Sequence, residues 1–483
     1  MNSRNVKIIG LMLMLLACPI LLSAQNEPTK VWTLLECVDY ALENNLTVKN
    51  QELTVVINEV NLLQSKANLL PTLNGSANYG RNWGRSINPE TNVVTNKNQD
   101  NGFGSLSANW TLFSGMRNIN TIKQSEASLA ARQYDLEKSK NDIILLVVTF
   151  YTNVIFNREL YENAKSQLES TTSQMERTEK LVNAGALPRS SLLDLLSQVA
   201  SSELNVINAE NAVNFSVLQL KQVMQIPAFQ PLEIEIPEIE LNESDLADLN
   251  PQRVYEIALA TMPEVKSADK NVESALSSIK VNQGSYYPRI SLSAGVNTNY
   301  SSIAADRGFI ENTGNIIALP IGRVQSSGEL VVTDFEERIV LPYPTSQQLE
   351  NNFGQSISLG MSIPIFNNLQ VSSNVQRAKI AKNQADIIAE QTRQTLRQTI
   401  ERAYNDVYSS AKAFQSSTKK VEAQEESFRA MKQRYDNGAA NATDYELAEN
   451  NLFQAKSDLL RAKFDYIFKL KILDFYQGKP LDF

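Results

Sequence analysis

Histidine is absent from all 483 residues. That removes the commonest general base and metal ligand, and with them every Ser/His or Cys/His constellation. Of the two cysteines, Cys18 falls in an N-terminal leader and Cys37 stands alone, so neither a disulfide framework nor a zinc site can be built. No catalytic cluster is found, no cofactor is expected, and the chain reads as something other than an enzyme. The side chains left to act are charges and aromatics. The stretch "EAQEESFRAMKQRYD" carries Glu422, Glu425, Glu426, Arg429 and Lys432, and it reads either as a solvated helical face or as an element that selects by charge. Tyr79, Trp83, Phe103, Tyr300 and Phe353 gather at one end of a set of alternating segments, and Trp110, Phe113, Tyr286, Tyr287 and Phe366 at the other. Two such groups suit the two interfaces of a membrane, or the aromatic edges of a soluble sheet.

The elements that must position these aromatics are four alternating segments. In "PRISLSAGVNTNY" from Pro288, Ile290, Leu292, Ala294 and Val296 share one face, and Ser291, Ser293 and Asn297 the other. In "FGQSISLGMSIPIF", ending at Phe366, Ile357, Leu359, Met361, Ile363 and Ile365 alternate with Ser356, Ser358, Gly360, Ser362 and Pro364. An earlier pair, "PTLNGSANYG" from Pro71 and "GSLSANWTLF" up to Phe113, repeats the pattern. Strict period two over about ten residues describes a strand long enough to cross a bilayer at a tilt. The serine-rich face suits a water-filled lumen and the opposite face suits lipid. Four strands cannot close a barrel, because bacterial barrels start at about eight. Either the sheet is soluble or several chains close it together.

Helices surround these strands. Thr33 and Glu36 form a capping box ahead of the short amphipathic run "LLECVDYALENN". A second helix is expected from about Thr47 to Leu70, where Pro71 stops it. Residues 118–182 hold no internal proline or glycine and read as one helix, about 100 Å long at 1.5 Å per residue, as a coiled-coil hairpin requires. The turn "NAGALPRSS" with Gly185 ends it, and a partner helix returns over about 190–225. Residues 226–250 form a proline-rich connector with a short strand, and Asn250-Pro251 opens the plan again.

The duplication is explicit. At an offset of 217, Ala41-Leu42 matches Ala258-Leu259, Val48-Lys49 matches Val265-Lys266, and Pro71 matches Pro288. Beyond the strands an offset of 253 pairs Phe113 with Phe366, Tyr151 with Tyr404 and Gly185 with Gly438. The 36-residue difference falls in loop 301–353, which has 53 residues where its counterpart 84–100 has 17. The organisation expected is therefore a first repeat over 32–225 (strand hairpin 71–113, helical hairpin 118–225), a connector over 226–250, a second repeat over 251–476 (strand hairpin 288–366, helical hairpin 369–476) and a tail over 477–483.

Arg4 and Lys7 precede an apolar run from Ile8 to Leu22 and the sequence "SAQN", a secretory signal over 1–24 cleaved near Ala24. A lipobox ending at Cys18 is the other reading. Removing residues 1–24 takes away two positive charges and leaves 43 Lys+Arg against 53 Asp+Glu, a net charge of −10 that argues against nucleic acid. No later run of 18 apolar residues appears, so strands must do any crossing. Asn441-Ala442-Thr443 fits the glycosylation pattern but sits at a helix turn.

Signal, tandem halves, strand hairpins, long helices and glycine turns together resemble the TolC family of outer-membrane efflux proteins over residues 32–476. The most specific marks are the duplicated "AL…P" opening, "LFSG" at 112–115 with "IFNN" at 365–368, and the turns at Gly185 and Gly438. The resemblance implies a mainly helical fold with a membrane β-barrel part: a homotrimer whose chains each give four strands to one twelve-stranded barrel in the outer membrane, continued by long coiled-coil hairpins across the periplasm. It implies a passive exit duct fed by an inner-membrane pump and sealed by a periplasmic adaptor, in tripartite efflux or type I secretion. Gly185, Ala186, Leu187, Gly438, Ala439 and Ala440 are then the adaptor-docking turns. Family channels often carry an acidic ring shortly before the second turn. Here Arg429, Lys432 and Arg434 stand there, with Glu422, Glu425 and Glu426 earlier, so the position and sign of a charged constriction stay open. A soluble or peripheral coiled-coil adaptor is the alternative, and surface binding through loop 301–353 an added role.

Overall fold

A computed structural model of the full chain describes residues 30–87, 94–96, 98–237 and 250–479. The signal at 1–24, Cys18, residues 238–249 of the connector and the tail beyond Lys479 lie outside the described residues.

The described elements run in this order: β1 (Val31–Trp32), α1 (Leu34–Asn44), α2 (Leu46–Ala67), β2 (Thr72–Asn82), β3 (Ser86–Ile87), β4 (Val94–Thr95), β5 (Gln99–Ser114), α3 (Arg117–Asn183), α4 (Arg189–Met224) and β6 (Glu233–Ile234). The second half gives α5 (Pro251–Thr261), α6 (Pro263–Gln283), β7 (Arg289–Ser301), α7 (Ser302–Arg307), β8 (Phe309–Arg323), β9 (Leu330–Leu341), α8 (Thr345–Asn351), β10 (Gly354–Ser362), α9 (Gln370–Asp436) and α10 (Ala442–Tyr476). The two long helices, α3 and α9, have 67 residues each. Equal length is what two halves packed in register need. Thr33 caps α1 with the reciprocal Glu36 bond, and Asn250 caps α5 by accepting from Gln252 N.

The chain divides into two compact units, one of residues 1–57, 130–270 and 386–483, the other of 58–129 and 271–385. The first is helical, with two apolar cores. One gathers Leu34, Cys37, Ala41, Val48, Val147, Tyr151, Val154, Leu220 and Ile467. The other gathers Val254, Ala258, Val265, Ile400, Val407 and Leu473. Several positions recur between the two cores. Ala41 and Val48 return as Ala258 and Val265, and Val147, Val154 and Leu220 as Ile400, Val407 and Leu473, at the two offsets already read. Helix α3 contains an 18-residue window of mean hydropathy 1.4, yet its apolar residues Ile143, Val147, Val148 and Ile155 are core residues at 6% exposure or less. They are a core stripe rather than a span. Connector strand β6 pairs in parallel with β1, and the fully buried Tyr151 ties the pair down by donating to Glu235 O at 2.7 Å. Burial pushes the Cys37 thiol up to about 12, so it is a packing residue without thiolate chemistry.

The second unit holds an antiparallel sheet in the order β10-β7-β5-β2. Strand β10 ends at Ser362 rather than Phe366, because Pro364 has no N–H for the ladder. Beyond the second strand of each hairpin, β5 and β10, the chain enters its long helix through two consecutive left-handed residues, Gly115 and Met116 (φ 64° and 62°) and Asn368 and Leu369 (φ 51° and 62°). "LFSG" and "IFNN" are thus one turn written twice. Only glycine fits at 115, where a Cβ would lie 2.1 Å from Gly284 O. The segment expected as a tolerant loop, 301–353, carries its own antiparallel hairpin, β8–β9, flanked by α7 and α8.

Candidate functional site

The sheet register sorts the alternating residues into rows. Leu73, Ala108, Ala294 and Ile357 stand opposite one another across all four strands; one residue over, Asn74, Ser107, Gly295 and Ser356 do the same. Residues in one row share a face, so one side of the sheet is apolar and the other polar. Polar neighbours bond to each other: the Ser76 and Ser105 hydroxyls lie 2.8 Å apart, and Ser293 Oγ donates to Asn109 at 3.0 Å. The apolar side is open at β10 among the described residues, with Ile357 80% and Leu359 69% exposed. The outer edges of β2 and β10 are unpaired among the described residues. An apolar face in the open and two free edges are what a strand sheet shows when lipid and other copies are removed.

The aromatics fall where a membrane would place them. Tyr79, Gly102 and Tyr300 form one row on the apolar face, the two rings flanking the glycine. Ten residues along β7 stands Ile290, opposite Phe113. Ten residues of tilted strand span about 24 Å, close to the ~25 Å apolar band of outer-membrane barrels. Trp110 donates to Leu69 O at 2.7 Å, and Tyr286, Tyr287 and Phe366 are exposed at the same end; Trp83 is exposed beyond β2 at the other.

In the helical unit the two turns are superimposable in their bonds. Gly185 N donates to Val182 O and Ala186 N to Leu181 O; Gly438 N donates to Tyr435 O and Ala439 N to Arg434 O, all between 2.8 and 3.0 Å. Both glycines are left-handed, at φ 75° and 72°, and a Cβ on either would meet nothing. They end their helices for backbone reasons and leave an open surface. Gly185, Ala186, Gly438 and Ala439 are exposed, while Leu187 and Ala440 are half-buried. Asn441 uses its side chain to cap α10 by accepting from Asp444 N at 2.7 Å.

The charged candidates do not converge within the chain. Glu425 pairs with Lys456 at 3.2 Å and Glu426 with Arg429 at 3.1 Å, both on the surface, and Glu422 is exposed. Lys432 turns instead to a polar cavity of about 440 Å³ that it lines with Ser170, Gln174, Arg177, Asp436 and Tyr445.

That cavity belongs to a feature the sequence reading missed. Along α3, Asn163, Gln167, Ser170, Gln174 and Arg177 are spaced four, three, four and three apart, a heptad seam. Each bonds across to the second repeat: Asn163 Nδ2 to Ser457 Oγ (2.8 Å), Gln167 Nε2 to Asn450 Oδ1 (2.9 Å), Ser170 Oγ to Glu449 Oε1, Gln174 Nε2 to the Tyr435 hydroxyl (2.6 Å), and Arg177 Nη1 to Asp436 Oδ1 (2.7 Å). The same helix is apolar at Ile143, Val147 and Val154. That apolar stripe lies on another face of the helix; the face that meets the second repeat in the last turns before Gly185 is polar. Glu449 is 5% exposed; burial raises its carboxyl pKa, opposed by the Ser170 bond and the Lys432 charge. Tyr445, its ring tilted against Tyr435 with ring centres 4.9 Å apart, is pushed up to about 12, chiefly by burial.

Two tandem halves with long helical hairpins and a two-faced membrane-type sheet define an outer-membrane channel subunit. The family model for outer membrane efflux proteins matches residues 37–224 and 254–475, and the chain belongs to that family. It is 22% identical over 422 residues to the alkaline protease secretion protein AprF of Pseudomonas aeruginosa, covering 86% of this chain and 77% of that one. It is 21% identical over 411 residues to the outer membrane protein TolC of Escherichia coli, covering 84% and 73%. Matches to these and other curated relatives span from 45% to 81% of the relatives' lengths. The crystal structure of the Campylobacter jejuni CmeC outer membrane channel superimposes with a TM-score of 0.70 at 17% identity, covering 93% of this chain and 87% of that one. The resemblance to the TolC family holds, as do the outer-membrane location and the helical periplasmic part. Family and fold are those of channels rather than enzymes.

Proposed function

We propose that three copies of this chain close one twelve-stranded barrel and form the outer-membrane exit duct of a tripartite efflux or type I secretion system. The observation that carries the proposal is the sheet: four membrane-length strands, one apolar and one polar face, and two free edges. Three sheets joined edge to edge turn the polar rows inward around a lumen and the apolar rows outward to lipid, with no edge left over. An inner-membrane pump supplies the cargo and a periplasmic adaptor joins the two. The separate halves, 32–225 and 251–476 about the connector 226–250, place one helical hairpin each at the periplasmic mouth.

The turns at Gly185-Ala186-Leu187 and Gly438-Ala439-Ala440 are the docking points, since they are alike and expose small residues at Gly185, Ala186, Gly438 and Ala439. A photo-crosslinking residue at Ala186 is expected to capture a periplasmic adaptor with helical hairpins of its own. The double variant Gly185→Val, Gly438→Val puts β-branched residues at left-handed φ, at a cost of roughly 1–3 kcal/mol per site, and is expected to lose the adduct while keeping the trimer. An adduct unchanged by the double variant, or none in the parent, contradicts docking there.

The polar seam is the gate in this reading. Glu422, Glu425, Glu426, Arg429 and Lys432, brought together from three copies, set the charge around it. Opening hydrates Glu449 and returns its carboxyl to the ordinary value of 4.5. The closed seam therefore binds its proton more tightly than the open one, in a window that lies above 4.5. Closure gains stability as pH falls through that window and no further below it, where both states are protonated. Conductance is expected to fall as the bath is acidified through this range, and Glu449→Gln to conduct less at neutral pH with a flattened profile. Identical profiles for the two proteins would remove Glu449 from the gate.

A further inference from the structure

We propose that the cavity at the barrel's periplasmic end is a binding site for an anionic phospholipid, with Lys280 and Lys379 taking the phosphodiester headgroup. It rests on the barrel reading. The cavity measures about 640 Å³ and is lined by Phe113, Met116, Lys280, Tyr286, Tyr287 and Lys379, among others. That volume is in the ~300–1,000 Å³ range of small-ligand sites. Its floor is the place where the Gly115 and Gly284 backbones cross too closely for any Cβ. Phe113, Met116, Tyr286 and Tyr287 are all exposed, offering apolar bodies and phenol tips at the height where acyl chain meets headgroup.

The charge around it is distinctive. The four stretches that join strand to helix, residues 60–71, 111–125, 274–290 and 362–385, hold eight Lys or Arg and no Asp or Glu. The whole chain has 45 Lys+Arg against 53 Asp+Glu, so the excess is local and opposite in sign to the net charge. A basic girdle at this level faces the leaflet on the helix side of the membrane and attracts anionic lipid there. Within the girdle this cavity is lined by two lysines, Lys280 and Lys379. Lys66 in the first half is held by Glu126 at 3.7 Å, whereas Lys280 and Lys379 make no ion pair among the described residues. The duplication does not copy the site: at the two offsets Lys280 corresponds to Leu63 and Lys379 to Glu126. One site per chain follows, three per barrel.

The test uses purified full-length trimers in nanodiscs of equimolar phosphatidylcholine and phosphatidylglycerol, with native mass spectrometry counting the lipids that stay on the intact trimer. The parent is expected to retain phosphatidylglycerol about tenfold over phosphatidylcholine. The double variant Lys280→Gln, Lys379→Gln should fall to near parity, Lys66→Gln should behave as the parent, and excess inorganic phosphate should not displace the lipid. Equal enrichment in the double variant overturns the site. So does loss of enrichment in Lys66→Gln, which would mean diffuse attraction, and full displacement by phosphate, which would mean a phosphate site. Lipid is scored on intact trimers only, so a preparation with no trimer contradicts the barrel itself and is read separately.

Discussion

Ile357→Arg is expected to abolish the membrane-extracted trimer, while Ser356→Arg, one residue earlier on the same strand, is expected to leave it in place. Ile357 stands in the row with Ala294, Ala108 and Leu73 on the exposed apolar face, three residues from one end of the paired stretch of β10 and five from the other. An arginine on the lipid face near mid-membrane costs roughly 2–4 kcal/mol, and three copies per barrel bring that to about 6–12 kcal/mol. This is as large as the whole stability of a typical domain. Ser356 belongs to the row with Gly295, Ser107 and Asn74, where water in the lumen solvates a charge. Quantifying boiling-sensitive trimer in the outer-membrane fraction separates the two. Equal loss, or loss for Ser356→Arg alone, would mean that the faces are assigned the wrong way round or that the sheet meets no lipid.

The second large effect is expected at the polar seam. Gln174→Ala with Arg177→Ala removes the bond to the Tyr435 hydroxyl and the pair with Asp436. The first is part-buried and contributes about 1 kcal/mol. The second contributes less, because Arg177 and Asp436 are 53% and 41% exposed and solvent screens them. Summed over three copies that open together, roughly 3–5 kcal/mol shifts from closed to open, on the order of 10²–10³ in the ratio of the two. The opposite change is also available. Gln167→Leu with Gln174→Leu would put apolar side chains at two heptad positions of the seam itself and glue it shut. Single-channel recordings should show raised open probability for the alanine pair and lowered for the leucine pair. The same direction for both would end the gate assignment.

Much of this was legible because the chain is written twice. The offsets of 217 and 253 were legible before any coordinates, and the cores follow them: Ala41 and Ala258, or Val154 and Val407, pack in corresponding places of the two repeats. Strand faces were legible because period two has one solution once Ile290 to Val296 and Ile357 to Met361 alternate. The β8–β9 hairpin was not, since 36 of the residues in 301–353 have no counterpart in the other half and the loop was weighed by length alone; Ile316-Ile317 and Val331-Val332 carry the β-branched signal that marks it. The seam was hidden for a related reason. Heptads are sought among apolar residues, and Asn163, Gln167, Ser170, Gln174 and Arg177 keep the spacing with the opposite chemistry. No single-chain pattern could place Glu449 against Ser170, because that contact joins residues 279 positions apart.

The central claim is that several chains complete what one chain leaves open. The most direct test is the mass of the detergent-extracted membrane protein before and after boiling, with conductance of the same sample in a planar bilayer. The account predicts a trimer that conducts and that boiling reduces to a non-conducting monomer. A monomer from the soluble fraction with no conductance would contradict the shared barrel, and with it the duct.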